Sequence, residues 1–558
     1  MRRGRFASLT VASLTILFSI GSVIGHSDHQ DSGSWPMMGQ NLGDTRSQPN
    51  EHIIKTSNVG TLTPKWVFTT GGDVSATPTV VGNTVYFPDW AGNLYAVNKN
   101  TGQLIWSQKI STYDGFATAI SRVSPAVYGN ELILGDIENP TQAHLGANVM
   151  AVDRRTGALR WITNVEPYPA AVITGSPVVF RNTIYVGVSS NEESQLAHHP
   201  GYMCCAFRGS VVALSAKTGA ILWKTYDMPD NYGATDQYSG GAVWQPPAID
   251  PRRGLLYIGT GNNYTVPASV ETCEQAAQAA GSTDADCTAP DDYFDTALAL
   301  DLQTGAVRWA HKRLRPKRLR PGAGSVNWSY GVEDYDAWTT GCKDTPPINC
   351  ASPPGPDYDL GGSGPNLVGN MVGFGQKSGD YWAFNPDNGK VLWSTFVGPA
   401  GTGTLGGIEW GTATDGKRIY AEVADSGKVP FTLSPSGTII NWGSWSALDV
   451  ATGKILWQTA DPTPGSLDFG AVSVANGVVY AGSQGGSGYM YALDAQTGAI
   501  LWKYASGGSV VDGPSIVGGV VYWGSGYRIG THNNRLYAFT IPGHDHHSGH
   551  DHHSGHDR

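Results

Sequence analysis

Charge is scarce in this sequence. Only 15% of its residues are Asp, Glu, Lys or Arg, and they sum to a formal −10, so there is no basic footprint for nucleic acid. Long apolar runs are missing too: beyond Ala7–Gly25 no segment is apolar enough to cross a bilayer. Cysteine occurs six times, never as C-x-x-C-H, which excludes covalently attached c-type haem within this sequence. What the 558 residues do hold is Gly 73, Pro 33, Trp 18 and Tyr 25, with 40% hydrophobic residues. That is the composition of a turn-rich β protein with ample core, not of a disordered chain.

The first 25 residues read as a signal peptide. Arg2, Arg3 and Arg5 form a positive start, Ala7–Gly25 is uncharged and mostly apolar, and the polar His26-Ser27-Asp28 follows. An uncleaved anchor is the alternative, weakened by the Ser, Thr and Gly within the apolar stretch. Export to the periplasm or beyond makes disulfides the expected state of the cysteines. Cys204 and Cys205 are adjacent, Cys273 and Cys287 share one polar insertion, and Cys342 and Cys350 share another, so local pairing within each set is the simplest solution. At the other end, Gly543–Arg558 carries seven His and reads as an unfolded, metal-scavenging tail.

Between these ends a phrase repeats. AVNKNTGQLIW ends at Trp106, AVDRRTGALRW at Trp161, ALSAKTGAILW at Trp223 and ALDLQTGAVRW at Trp309. AFNPDNGKVLW ends at Trp393, ALDVATGKILW at Trp457 and ALDAQTGAILW at Trp502. A second phrase precedes most copies, as in VVGNTVYF at 80–87 and VANGVVYAG at 474–482. Each unit supplies several short strands separated by Gly, Asn and Asp turns. A single unit cannot bury both its faces, so the units must stack radially, which predicts an all-β propeller. Trp66 in PKWVF adds an eighth tryptophan, and the last phrase, Leu536–Phe539, lacks Thr-Gly and Trp. The fold class is therefore an eight-bladed β-propeller over residues 35–541, its final strand closing beside Trp66. The longest intervals, 223–309 and 309–393, carry insertions that should build one functional face.

The A-x-D-x-x-T-G-x-x-x-W phrase resembles the tryptophan-docking motif of the quinoprotein alcohol dehydrogenases, eight-bladed propellers that hold pyrroloquinoline quinone (PQQ) and Ca²⁺ on their axis. The likeness covers roughly residues 35–540, and Cys204-Cys205-Ala206-Phe207-Arg208-Gly209-Ser210 looks most like the polyvinyl alcohol dehydrogenase branch. It implies site residues one by one. Gly259-Thr260-Gly261-Asn262 matches the phrase whose Asn oxygen ligates calcium, an ion that prefers hard oxygen donors. Trp244 stands where the family stacks a tryptophan on the quinone plane. Ser189-Ser190-Asn191-Glu192-Glu193 resembles S-S-x-x-E, making Glu193 a calcium ligand, with a register one residue off as the alternative. Thr174 and Ser190 match groups that bond the quinone carboxylates, and Arg122 and Trp410 are further cofactor contacts. The Cys204–Cys205 ring would pack on the quinone face opposite the tryptophan.

The family phrase D-x-W-D-Y-D appears split, as Asp336-Ala337-Trp338 and Asp357-Tyr358-Asp359. Asp357 is assigned as catalytic base and metal-side carboxylate, with Asp336 as the alternative, and Lys377 as the cation beside the reactive quinone oxygen. For each, the plain alternative is a turn aspartate, a glycine-turn Asn or a core Trp. Their joint occurrence in family order favours a periplasmic or secreted enzyme that oxidises alcohols, with polyvinyl alcohol as one candidate substrate, using PQQ and Ca²⁺. Electrons would pass to a separate acceptor such as a cytochrome c, and no stable membrane insertion is expected. The competing class is a non-catalytic scaffold or quinone sensor, which would keep the blades without the axial residues. The basic run Lys312–Arg320 reads as a solvated loop or as a docking point for an acidic acceptor.

Overall fold

The computed structural model describes residues 1, 33–137, 146–192, 202–280, 287–312, 357–360, 362–400 and 405–543. The expected leader after Met1, the His-rich tail after Gly543, and Asp336, Cys342, Cys350 and Glu193 lie outside the described residues.

Eight antiparallel sheets, each with four strands at its heart, follow one another along the chain. Blade 1 is Thr79–Val81, Thr84–Pro88, Asn93–Asn98 and Leu104–Lys109, and blades 2 to 7 repeat this plan up to Ile500–Ala505. Blade 8 takes three strands from the C-terminal region, Ser515–Val517, Val520–Ser525 and Arg535–Thr540, and its outermost strand, Thr63–Thr69, from near the N-terminus. Trp66 faces Ala538 in that pairing. The expected eight blades and the expected closure are both present. The insertion before blade 4's third strand contains the helix Ala268–Ala279, tethered by the Cys273–Cys287 disulfide.

The repeated phrase has a physical reading residue by residue. Its Asp or Asn makes the turn: Asp153 Oδ1 accepts the amides of Arg155 at 2.9 Å and Thr156 at 3.1 Å. Its Trp reaches the next blade. Trp66, Trp106, Trp161, Trp223, Trp309, Trp393, Trp457 and Trp502 each donate their indole N–H to a carbonyl there, at 2.9–3.2 Å. Seven of those carbonyls belong to the residue just after the phrase's Asp, Asn or Ser; the eighth, Leu62, closes the ring. Its Gly gives the indole room. At Gly453, with φ +71°, a Cβ would stand 2.4 Å from the Trp393 ring, and Gly498 lies equally tight on Trp457. Only glycine meets both the left-handed backbone and the contact. Trp309, Trp457 and Trp502 are buried, and the other five are half-buried at the blade boundaries.

The innermost strand of each blade would leave an unpaired edge on the axis. The irregular segment 35–48 covers it. Trp35 pairs with Val80 of blade 1, Pro36 O accepts Val127 N, and Met38 Sδ accepts the Ser176 hydroxyl. Leu42 O accepts Ile249 N, Gly43 O accepts Leu367 N, and Thr45 O accepts Thr414 N. Ser47 and Gln48 run parallel to Val474 and Ala475, and Gln48 Nε2 donates to Ile516 O of blade 8. One short segment thus bonds to all eight blades. Within it Arg46, 1% exposed, donates to Val472 O and Thr77 Oγ1, both at 2.9 Å. Burial lowers its pKa, against the opposing fields of Asp44, Asp512 and Glu422.

Two measurements follow from this packing. Trp457→Ala should cost roughly 3–5 kcal/mol in urea unfolding, and Gly498→Ala should destabilise although it only adds a methyl group; unchanged stability in both would contradict the docking role. The second concerns pH. Burial pushes Asp512 up to about 8 and Asp425 up to about 7. The folded state therefore holds protons the unfolded chain has released, so their contribution is full below the ordinary carboxylate range and fades as pH rises towards 8. The urea midpoint should fall from pH 5 to pH 8 and fall less in Asp512→Asn; identical slopes would contradict the assignment.

Candidate active site

First and second strands of each blade run antiparallel, so residues entering the first and residues leaving the second share one end of the propeller. Ala171 accordingly faces Ser190, and Gly261 N donates to Ala242 O at 3.0 Å. Arg122, Thr174, Trp244, Asp357 and Trp410 all precede first strands, while Ser190, Asn262 and Lys377 end or follow second strands. Topology alone brings them to one face.

On one side of that face lies a charged cluster. Lys377 Nζ is 2.8 Å from Asp357 Oδ2 and 2.8 Å from Asp359 Oδ2. Asp359 Oδ1 accepts the Asn262 amide N–H at 2.6 Å, and Asp359 N donates to Asp357 Oδ1 at 3.0 Å. All four residues are buried, and among the described residues the Asn262 side-chain amide has no hydrogen bond. Burial and the neighbouring Asp359 push Asp357 up to about 6, against the pull of Lys377. Burial opposes the Lys377 ammonium, but Asp357, Asp359 and Glu409 outweigh it and hold its pKa well above the usual lysine value. Glu409, 2% exposed and bonded to Gly406 N, is pushed up to about 8, chiefly by burial.

Two tryptophans link this cluster to a second group. The Lys377 ammonium lies 5.2 Å from the Trp244 ring, whose far edge rests on Gly362, where a Cβ would be only 2.3 Å away. Trp244 and Trp410 meet edge to face at 5.1 Å, and the Arg122 guanidinium stacks 4.0 Å over Trp410, with Trp90 and Tyr527 within 6 Å. Among the described residues Arg122 has no carboxylate partner. It opens onto a cavity of about 510 Å³ shared with Thr174, Lys109 and Arg528. Among the described residues the buried Thr174 hydroxyl and Trp410 indole N–H have no hydrogen-bond partner. Such a cage, a cation plus two idle polar groups, calls for an anion.

Cys204 and Cys205 are joined as a vicinal disulfide, and Cys205 O accepts the Thr265 hydroxyl at 3.2 Å. Beside the pair stands Glu192, wholly buried. Its carboxylate accepts the Tyr168 and Tyr202 hydroxyls and the Ala206 and Phe207 amides. Three of these donors meet Oε1 and one meets Oε2, which keeps a lone pair. Glu192 holds the turn that follows the cysteines through the Ala206 and Phe207 amides, while Glu193 lies outside the described residues. Ser190 Oγ accepts Glu192 N at 2.8 Å, which leaves its proton to donate.

Sequence reasoning missed three features of this site. Asp359 stood inside the Asp357-Tyr358-Asp359 phrase, and Glu409 stood beside Trp410, so both were within reach. The Trp90–Tyr527 cage was not, because ring closure alone brings blades 1 and 8 to Arg122.

The family described as outer membrane protein assembly factor BamB matches residues 59–199 and 443–555, and the glucose/ethanol/alcohol dehydrogenase β-propeller domain matches 162–317. Polyvinylalcohol dehydrogenase from Sphingopyxis sp. (strain 113P3) is 30% identical over 550 residues, covering 88% of this chain and 74% of the relative. Its counterpart from Pseudomonas sp. is 29% identical over 561 residues, covering 91% and 77%. The crystal structure of quinohemoprotein alcohol dehydrogenase from Comamonas testosteroni superposes with a TM-score of 0.63 at 18% identity, covering 91% of this chain and 80% of that one, a likeness of fold. The chain belongs to the PQQ-dependent alcohol dehydrogenase family that includes the polyvinylalcohol dehydrogenases.

Proposed function

We propose that the protein oxidises hydroxyl groups of a polymeric secondary alcohol such as polyvinyl alcohol, using PQQ and Ca²⁺ held on the axial face, and hands the electrons to a separate acceptor such as a cytochrome c. The polymer is suggested by the names of the relatives. The observation that carries the site assignment is the pairing of an unneutralised guanidinium with a net-negative cluster across two touching tryptophans. Arg122 and Thr174 offer charge and a hydrogen bond to the cofactor's carboxylates, Ser190 offers a second hydroxyl, and Trp244 offers a flat apolar face. Asn262, Asp357 and Glu193 supply the hard oxygens suited to calcium. When bound, PQQ provides the two-electron acceptor and Ca²⁺ the Lewis acid that polarises it.

The chain's own work is proton handling and orientation. Asp357 takes the proton of the substrate hydroxyl on a carboxylate oxygen that still has a lone pair to spare. Lys377 keeps a positive charge beside the reacting centre, where negative charge develops. The disulfides 204–205 and 273–287 suit an exported protein, and among the described residues no helix is long and apolar enough to cross a membrane. Dye-linked turnover of reconstituted protein, compared between short secondary alcohols and polyvinyl alcohol, tests the substrate class; activity confined to short primary alcohols would overturn it.

Asp357→Asn should fold, retain PQQ binding and lose about 10²–10⁴-fold in turnover. Asp336→Asn should stay near wild type; the reverse result would move the base to Asp336. Asn262→Ala and Glu193→Ala should be partly rescued by excess Ca²⁺; rescue of Glu192→Ala in place of Glu193→Ala would move the register by one residue. Since Asp357 accepts a proton only when ionised, kcat/KM should decline as pH falls. The midpoint of that acid limb should lie no higher than about 6, because a divalent cation favours the carboxylate form. A limb centred well above 6 would assign it to another group.

A further inference from the structure

We propose that Lys109 and Arg528 form a capture site for the anionic cofactor at the mouth of the Arg122 cavity and set the rate at which it is taken up. The proposal rests on the reading of Arg122 as a partner of the PQQ carboxylates, and it gives a task to two cations that this reading leaves idle.

The lining of the 510 Å³ cavity passes from buried to exposed. At its floor lie Arg122, half-buried, Tyr527, buried, and the idle Thr174 hydroxyl. At its rim lie Ala91, Lys109 and Arg528, all exposed. No Asp or Glu is among the described residues that line it, and among the described residues none of the three cations is ion-paired. In a chain whose formal charge is −10, three unpaired cations around one cavity are a local inversion of sign. Burial lowers the pKa of Arg122; Tyr527 opposes this, and the charge of Arg528 adds to it.

Both rim cations are held in place. Lys109 ends the outer strand of blade 1, and its ammonium donates to Ala91 O at 2.6 Å. Arg528 lies on the turn between the second and third strands of blade 8, 5.5 Å from the Trp90 ring that Arg122 also approaches, at 5.8 Å. That turn is tied down: Gly530 N donates to Tyr527 O at 2.9 Å, and Thr531 N to Ser509 Oγ at 2.8 Å. Asp73 accepts Asn533 N at 2.8 Å on one oxygen and meets His532 Nδ1 at 2.6 Å with the other, so this carboxylate serves the turn and not Arg528.

Such charges act on arrival more than on the bound state. Exposed cations add little to affinity, because water and salt screen them. Their summed field over a concave mouth concentrates an anion and raises its association rate. PQQ carries three carboxyl groups, and it meets the rim cations before it reaches Arg122. The work is thus divided: Arg122 and Thr174 hold, Lys109 and Arg528 gather.

The test is stopped-flow binding of PQQ to cofactor-free protein with Ca²⁺ present, followed by tryptophan fluorescence. Lys109→Gln/Arg528→Gln should associate about tenfold more slowly at low salt, with a dissociation rate within about twofold of wild type. The gap should close in about 1 M NaCl, where charges are screened beyond ~3 Å. Lys109→Arg/Arg528→Lys, which keeps both charges, should associate at the wild-type rate. So should Lys55→Gln/Lys65→Gln, which removes two exposed charges that do not line the cavity. An unchanged association rate in the Gln pair, a loss carried by dissociation, a loss that survives high salt, or an equal loss in the Lys55 and Lys65 pair would each overturn the proposal. A slow Arg/Lys exchange variant would overturn it too, since the side chains would then act by shape. If the wild type takes up no PQQ, the functional reading fails, and iodide, an anionic quencher, decides the mouth separately. Relative to neutral acrylamide, iodide should quench the tryptophans of the wild type more than those of the Gln pair; equal ratios would overturn the capture site.

Discussion

An indole N–H donated across a blade boundary, over a glycine that leaves it room, is the contact on which everything else in this molecule depends. The indole bond occurs eight times, seven of them over such a glycine, and the eighth cannot be local: Trp502 must find Leu62, hundreds of residues away in sequence. Closure therefore fixes the number of blades, and the blade number fixes the width of the axis. The segment 35–48 then covers the inner strand edges with one bond or more to each blade. A ring held from outside by tryptophans and from inside by this segment has little freedom to open on one side only.

Rigidity of that kind is what the chemistry uses. The axial face collects loops from many blades, and the ring sets their spacing. Arg122 arrives from blade 2, Thr174 from blade 3, Trp244 and Asn262 from blade 4, Asp357 and Lys377 from blade 5, and Trp410 from blade 6. The result is polarised. Cations Lys109, Arg122 and Arg528 surround the cavity between blades 1, 2 and 8, while carboxylates outnumber Lys377 on the blade 5 side.

How much of this was legible in the sequence depended on how local each signal was. The Asp turn, the glycine and the tryptophan act within one phrase or against its next copy, so the blade count could be read directly. Asn262 and Lys377 could be singled out because each sits in a short phrase at a strand end, and Trp244 because of its position relative to that phrase; the structure brings all three to one face. Asp359 was overlooked although its phrase was recognised, because its partner Asn262 lies on a glycine loop almost a hundred residues earlier. The Glu192–Glu193 register could not be read from spacing, since both are acids in one loop; the structure surrounds Glu192 with four donors, and Glu193 lies outside the described residues. The axial segment 35–48 has no periodicity at all, since each residue there answers to a different blade.

The most direct test of the central claim, that one rigid ring joins an anion cage and a carboxylate cluster into a single cofactor site, is a crystal structure of the protein reconstituted with PQQ and Ca²⁺. The expected result is one cofactor per chain lying on Trp244, a carboxylate at Arg122, and the cation bound by Asn262 and Asp357. A cofactor bound elsewhere, or a cation held without either of those two residues, would contradict it.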